Sequence, residues 1–312
     1  MMRQRLSFFQ LSLICVSLMS CGGDELNPKS KLQSYRIIAM RADPAALSIS
    51  SPVTIELYDF HPEDLGEGRP EVKYSWSLCP FSLGSITQYE CLTDELDLSS
   101  LTTQMEVDEE AEASPRPKPS TSFILDATSL FAEFGDDLQE QMELFEMGTD
   151  MLGSEMDFFA SGVLRVYLKL KVEIAGEPEF SAVKSLDVLL NDTVQMNQNP
   201  RLLAITADPV LTRELEFEGE VELSASFDAN SAEEYVPAQS ADDKSTPDPL
   251  TEKLIFSWYT TTGSFEKAIR LAEDTSTVLT LGDEAGRQRL YLTLRDGRGG
   301  VDIRMIEYDL GE

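Results

Sequence analysis

Apolar and polar residues alternate over several stretches of the chain, the pattern of a β-strand that turns one face to a core and the other to water. The two longest stretches are 163–172 (VLRVYLKLKV) and 289–295 (RLYLTLR), and shorter ones occur at 53–57 and 221–225. Turn-forming Gly, Pro and Asp residues separate these stretches. Several short alternating strands divided by turns predict an antiparallel β-sandwich.

One region of the first half departs from this pattern. Residues 94–122 are acidic and then proline-rich, which predicts an exposed loop. In 127–159, apolar residues recur at helical spacing with acids between them, which predicts an amphipathic helical insert: Leu130, Phe131, Phe134, Leu138, Met142, Phe145 and Met147. Such an insert either caps an open end of the sandwich or offers a Met- and Phe-rich docking face to a partner.

The chain also contains an internal repeat. Residues 37–44 (IIAMRADP) match residues 202–209 (LLAITADP), and each copy continues with an alternating strand. An aromatic-Ser-Trp run follows in each copy, ending at Trp76 and at Trp258, and a long alternating strand comes last. Because the matches occur in the same order twice, they predict two tandem domains, at 35–192 and 200–312.

The second copy carries further motifs. An Asp-bearing turn at 227–230 (FDAN) precedes the strand that ends at Trp258, and a DGRGG turn occupies 296–300, where glycines supply the positive φ of a tight hairpin. These motifs resemble an immunoglobulin-like domain of the PKD or cadherin-like type, with an insert at about 231–246 as a departure. The resemblance covers about the last 110 residues. It implies an all-β fold of two tandem immunoglobulin-like β-sandwiches, the first with an α-helical insertion.

The beginning of the chain forms a separate element. Arg3 and Arg5 precede an apolar run at 6–19, which is shorter than the roughly 20 residues that a membrane-spanning helix needs. Ser20 and Cys21 follow directly, and this order resembles a bacterial lipoprotein signal peptide. The resemblance implies a signal peptide at 1–20, acylation of Cys21 and a polar tether at 21–34. A short membrane anchor or a buried N-terminal helix is the alternative.

The same resemblance implies a location. Acyl chains on Cys21 would hold the mature chain on a membrane of the cell envelope. The residue after Cys21 is Gly22 and not the aspartate that marks retention at the inner membrane in Gram-negative lipoproteins. The outer membrane is therefore favoured over the inner membrane.

The charge of the chain excludes one class of partner. The sequence has 25 Lys and Arg residues against 56 Asp and Glu residues, for a formal net charge of −31. Such a charge repels nucleic acid and anionic lipid headgroups, so we expect no nucleic-acid partner. The acidity favours solubility and self-repulsion, and attraction of divalent cations or of a basic partner is the alternative.

The cysteines predict one covalent link. Of the four cysteines, Cys15 would leave with the signal peptide and Cys21 would be acylated. Cys79 and Cys91 then form a pair in an oxidising compartment, which favours a disulfide over a redox-active or zinc-binding pair.

Motifs for catalysis are missing from the sequence. The single histidine, His61, has no G-x-S-x-G nucleophile motif to serve, and we expect it in a surface loop. No phosphate-binding glycine loop precedes a helix pattern. We therefore expect no enzymatic activity and no cofactor, with a calcium ion as the alternative.

Calcium is the one ligand that the sequence suggests. Calcium prefers several carboxylate and carbonyl oxygens, and Asp228, Asn230 and Asp248 lie in turns at one predicted end of the second sandwich. Asp296 or Asp302 could lie beside them, and some cadherin-like domains bind calcium at such turns. The alternative is that these side chains cap their own backbone.

Three functions follow from these observations. The first is a non-catalytic, lipid-anchored cell-envelope protein that serves as a structural module or binds another envelope protein or a glycan. The second is a carbohydrate-active hydrolase or its accessory subunit, which would use clustered acids. The third is a calcium-stabilised adhesion module.

Overall fold

The computed structural model describes residues 29–48, 50–66, 68–82, 84–99, 116–130, 132, 135, 163–189, 195–211, 219–236 and 248–311. The described residues of the first half form eight strands: β1 (Arg36–Asp43), β2 (Ala46–Ser48), β3 (Val53–Phe60), β4 (Val72–Cys79), β5 (Leu96–Asp97), β6 (Thr121–Leu125), β7 (Val163–Ile174) and β8 (Phe180–Leu189). Those of the second half form ten: β9 (Leu202–Asp208), β10 (Glu220–Phe227), β11 (Glu234–Tyr235), β12 (Leu250–Thr251), β13 (Ile255–Thr260), β14 (Ser264–Phe265), β15 (Ile269–Leu271), β16 (Ser276–Thr280), β17 (Gly286–Arg295) and β18 (Val301–Leu310).

The second half is an immunoglobulin-like sandwich by its strand order. One sheet has the order β9-β10-β16-β14, which corresponds to immunoglobulin strands A, B, E and D. The other sheet has the order β18-β17-β13-β15, which corresponds to strands G, F, C and C′. Trp258 lies on β13, the C strand, and is 1% exposed, as expected for the tryptophan of this fold.

The described part of the first half repeats this arrangement, but with three strands in one sheet and five in the other. A sheet of order β1-β3-β6 packs against a sheet of order β2-β8-β7-β4-β5. Strand β2 pairs in parallel with β8, so the first strand of the domain passes from one sheet to the other after Asp43. Trp76 on the C strand β4 makes an edge contact with Phe123 of the opposite sheet, with ring centroids 5.1 Å apart.

The internal repeat of the sequence corresponds to matching strands. Its four matched segments fall on β1 and β9, on β3 and β10, on β4 and β13, and on β7 and β17. Each sandwich has its own core, because the inward residues of its two sheets form one apolar cluster. The predicted all-β fold with two immunoglobulin-like sandwiches is therefore confirmed.

The predicted loop at 94–122 is wrong at both ends. Leu96 is 5% exposed and belongs to β5, because its side chain packs into the first core. At the other end, Thr121 and Ser122 already belong to β6. Residues 100–115 lie outside the described part of the chain.

Most of the predicted helical insert at 127–159 also lies outside the described residues. Residues 127–130 are helical, and Leu130 is buried in the first core. The helical insertion beyond them stays a prediction.

The Cys79–Cys91 disulfide is confirmed. The two Cα atoms are 5.6 Å apart, and the bond joins the end of β4 to the segment before β5. It therefore lies within one region of the chain and does not link strands B and F as in antibody domains. Closing a loop of this length stabilises the fold by about 3 kcal/mol in the chain-entropy account.

Among the residues that the structure describes, no helix has the length and apolar character to cross a membrane.

Candidate functional site: the junction between the sandwiches

The two sandwiches meet along an apolar junction that has its own buried cluster. From the first half it contains Leu32, Ile38, Ala39, Tyr58 and Phe60; from the second half it contains Tyr291, Val301 and Ile303, with Tyr259 and Met305 packed against it. Phe60 and Tyr291 make an edge-on ring contact across the junction, with centroids 6.4 Å apart. Association of this kind is driven by removal of apolar surface from water.

The alternation of β17 and β18 explains how this cluster forms. Leu290, Leu292 and Leu294 of β17 point into the second core, while Tyr291 and Thr293 point the other way and are 3% and 0% exposed. The alternating sequence of β17 predicts a water-facing side, and that prediction is wrong here because the first sandwich covers it.

A carboxylate and a guanidinium close one edge of the second sandwich at the junction. The buried Asp302 of β18 accepts a 2.8 Å hydrogen bond from the backbone N–H of Leu202, and Arg304 donates to the carbonyl of the same residue at 2.9 Å. Arg116 of the first half donates to the other oxygen of Asp302, at 2.9 Å from Nη2. The start of β9 is thus held by side chains, and one partner comes from the other sandwich.

The connection between the sandwiches is held by amide side chains. Asn199 donates from Nδ2 to the carbonyl of Ala42 at 2.7 Å and accepts from the N–H of Val301 at 3.0 Å. Asn197 donates to Asp296 at 2.9 Å. Because Asn199 bonds both sandwiches, the connection cannot behave as a free linker.

The N-terminal segment binds the second sandwich, although it precedes the first. Leu32 donates its N–H to the carbonyl of Thr260 at 2.7 Å, and Thr260 donates to the carbonyl of Ser30 at 2.9 Å. Lys31 forms a 2.7 Å ion pair with Glu284. Ser30 and Leu32 are buried, so the predicted tether at 21–34 is wrong over its last residues, which are part of the fold.

A buried lysine lies at the same junction. Lys184 of β8 donates from Nζ to the carbonyl of Gly299 at 2.6 Å, again between the two halves. Burial lowers the pKa of Lys184 to about 8, and Arg295 and Arg41 act in the same direction against Asp296 and Asp187. The charged form is therefore costly in the folded state.

This lowered pKa predicts a pH dependence. Between pH 8 and the ordinary value of 10.5 the unfolded chain binds the Lys184 proton more tightly, so the free energy of unfolding rises with pH. From pH 7 to pH 9.5, we expect the wild type to gain about 1–2 kcal/mol relative to Lys184→Gln, which keeps a donor but does not titrate. Urea unfolding of both proteins at both pH values measures this gain. If the difference in free energy of unfolding between the wild type and Lys184→Gln is the same at pH 7 and pH 9.5, the prediction is contradicted.

A second network of buried polar groups supports the first sandwich beside the junction. The Asp59 carboxylate, whose side chain is 0% exposed, accepts hydrogen bonds from Tyr35 at 2.8 Å, Tyr74 at 2.9 Å and Arg69 at 2.7 Å. Ser120 is its fourth donor. Burial, together with the Asp59 charge, raises the pKa of the Tyr35 and Tyr74 hydroxyls well above their usual range.

His61 does not lie in a surface loop as predicted. It is 5% exposed and caps the 3-10 turn Pro62–Leu65, where Nδ1 accepts from the N–H of Glu63 at 3.2 Å. Its Nε2 lies 3.0 Å from a carboxylate oxygen of Glu177. The imidazole is buried because its Nδ1 caps the turn and its Nε2 faces Glu177.

Among the predicted calcium ligands, Asp228, Asn230 and Asp296 have other partners. Asp228 accepts from the N–H and the side-chain amide of Asn230, and Asp296 accepts from the N–H groups of Arg298 and Gly300. No three His, Cys, Asp or Glu side chains in the described ranges are grouped to hold a metal ion, so the structure does not bring Asp228, Asp248 and Asp296 together. Calcium binding stays an untested prediction. Cys21 lies outside the described residues.

The sequence patterns did not predict the junction, although one feature of the sequence indicates it. Tyr58, Phe60 and Tyr291 are aromatic residues at the nominally outward positions of alternating strands. An aromatic residue on the polar face of a strand is an indication that another surface covers that face.

Comparison with known proteins places the chain in no family. No protein-family profile matches the sequence, and no curated protein matches it. Solved structures with similar folds include the Ig1-2 module of the Drosophila receptor protein tyrosine phosphatase DLAR, at 10% identity and a TM-score of 0.28, covering 89% of this chain and 100% of that one.

Two further similar structures come from other proteins. The two V-type regions of the v-region-containing chitin binding protein VCBP3 have 11% identity and a TM-score of 0.27, over 89% of this chain and 100% of that one. The D0-D1 domain of intimin has 9% identity and a TM-score of 0.22, over 88% and 98%. Similarity at this level carries no argument about function, and the assignment of the fold rests on the strand order of the two sandwiches.

Proposed function

We propose that the protein is a non-catalytic, lipid-anchored module of the cell envelope, in which two joined immunoglobulin-like sandwiches present a binding or spacing surface to another envelope protein or a glycan. The observation that carries this proposal is the closed junction. Its apolar cluster and the bonds of Asn199, Lys184 and Arg116 join the two sandwiches at fixed points. A rigid two-domain body is suited to hold a surface at a set distance from its anchor.

The hydrogen bonds of the buried charged side chains support a non-catalytic role. Asp59, Lys184 and Asp302 are each bonded to groups of the protein itself. Such pairing is what a buried charge needs in order to be tolerated in a folded protein. These groups therefore hold strands and segments together, and immunoglobulin-like domains are typical of interaction modules.

The anchor is tested by replacing its acylated residue. In the native host, Cys21→Ser is expected to move the protein from the membrane fraction to the soluble periplasmic fraction, because acyl chains are its proposed anchor. The measurement is immunoblotting of fractions together with incorporation of an alkyne-labelled fatty acid.

Cys15→Ser is the matched control, because it changes a cysteine of the same leader and should leave both label and membrane binding intact. Retention of Cys21→Ser on the membrane at the wild-type level would contradict the proposal. Fractionation of the wild type between inner and outer membranes then tests the preference for the outer membrane.

A further inference from the structure

One edge of strand β13 is shared between two different segments. In an antiparallel pair only every second residue bonds the partner strand. The backbone N–H and C=O groups of residues 256, 258 and 260 therefore point away from β17. On that side β15 pairs with the first part of β13, and Trp258 donates to the carbonyl of Ala268 at 2.8 Å. Thr260, two residues farther along, pairs with Ser30 and Leu32. The N-terminal segment and β15 therefore occupy the same edge.

The outward face of β15 is apolar and uncovered. Ile269 pairs with Ser257, and Leu271 pairs with Ile255, so both lie on the face of the sheet that also carries Tyr259. Elsewhere on this face the first sandwich buries Tyr291 and Ile303. Ile269 and Leu271 are 69% and 50% exposed, so they continue the junction face beyond the part that the first sandwich covers.

The chain before Ser30 emerges beside the exposed side chains of Ile269 and Leu271, which are called the strip below. Ser30 pairs with Thr260, which lies three residues from Ser257, the partner of Ile269. Three residues along a strand span about 10 Å, which places Ser30 roughly 10 Å from the start of β15. Cys21 precedes Ser30 by nine residues, a reach of at most about 30 Å. An anchor at Cys21 therefore holds this edge closer to its membrane than any surface on the far side of either sandwich.

Local charge at the strip differs from that of the whole chain. Exposed Lys267 lies two residues before Ile269, and exposed Lys253 lies two residues before Ile255, the partner of Leu271. Of the neighbouring acids, Glu266 and Asp274 form ion pairs with Arg270, while Glu273 is exposed. Apolar side chains flanked by lysines suit the boundary between headgroups and acyl chains.

We propose that Ile269 and Leu271 of β15 form the surface that rests on the lipid bilayer when the chain is anchored through Cys21. This inference rests on the proposed anchor. Two apolar side chains bind a membrane weakly by themselves, but a tether of this length keeps them at a high local concentration near the lipid. In this orientation the surfaces of both sandwiches that lie opposite the strip face away from the membrane.

The test uses the chain from Cys21 to Glu312. Since Cys79 and Cys91 are joined, the Cys21 thiol can be coupled selectively to a maleimide lipid in phosphatidylcholine vesicles. Hydrogen exchange followed by mass spectrometry then compares coupled with free protein. We expect severalfold slower exchange in peptides that cover 268–272. The exposed apolar pair Val236 and Leu250 serves as the internal control, with unchanged exchange.

A double variant, Ile269→Ser with Leu271→Ser, should lose this protection without a change in melting temperature, because both side chains are already exposed. Unchanged exchange of β15 on vesicles would overturn the proposal. Slower exchange that also arises in free protein at high concentration would overturn it in favour of pairing between two copies at this edge. Because the coupling is chemical, these outcomes do not depend on whether cells acylate Cys21, which the Cys21→Ser experiment decides.

Discussion

Asp59→Ala is expected to lower the free energy of unfolding by about 3–5 kcal/mol, the cost of leaving buried charged and polar groups without their partner. The carboxylate joins four separate segments: Tyr35 before β1, Arg69 in the loop before β4, Tyr74 on β4 and Ser120 before β6. Its removal leaves the Arg69 guanidinium and two tyrosine hydroxyls to find water in a region that is mostly closed to solvent.

Chemical denaturation measures this loss of free energy. Substitutions of single partners of Asp59 show how much each contact contributes to it. Tyr35→Phe removes one donor to Asp59, and Tyr74→Phe removes one donor together with a 3.3 Å acceptor of Arg69. Each should cost about 1 kcal/mol. Glu71→Ala, an exposed acid just before β4, is the matched control and should change stability by less than about 0.5 kcal/mol. If Asp59→Ala costs no more than its control, the network does not stabilise the sandwich.

The strands of this fold could be predicted from the sequence because their signals are local. Alternation and the Trp76 and Trp258 repeat identify the strands that face each core, and each of these residues is buried where it was expected. The short strand β5 was missed because it has two residues, too few for a period to be visible.

The junction could not be predicted in the same way, because it depends on pairs that are distant in sequence. Lys31 meets Glu284, Lys184 meets Gly299, and Asn199 reaches back to Ala42. In the sequence the polar side chains of these pairs are ordinary residues in a turn, at a chain end or on an exposed face. Only the packing of one sandwich on the other gives them partners, and that packing follows from the outward aromatic residues of β3 and β17.

Asp302→Ala is the second substitution with a large expected effect, a loss of about 3 kcal/mol or more in the free energy of unfolding. The side chain is 1% exposed, and its loss leaves the N–H of Leu202 unpaired and removes the acidic neighbour of Arg304, 3.7 Å away. Both groups lie where β9 begins, so the edge of the second sandwich should open first. Hydrogen exchange of peptides covering 202–208 should accelerate more than that of peptides covering β13.

The contribution of the junction to this effect can be separated from that of the edge. Arg116→Ala removes only the partner from the first sandwich, and because that side chain is 36% exposed we expect a loss of about 1 kcal/mol. The double variant should lose less than the sum of the two single losses, because Arg116 has no carboxylate to bind once Asp302 is absent. Asp309→Ala, half-buried on the same strand, is the matched control. Strictly additive losses would show that Arg116 and Asp302 stabilise the protein independently, and the ion pair would then not hold the two sandwiches together.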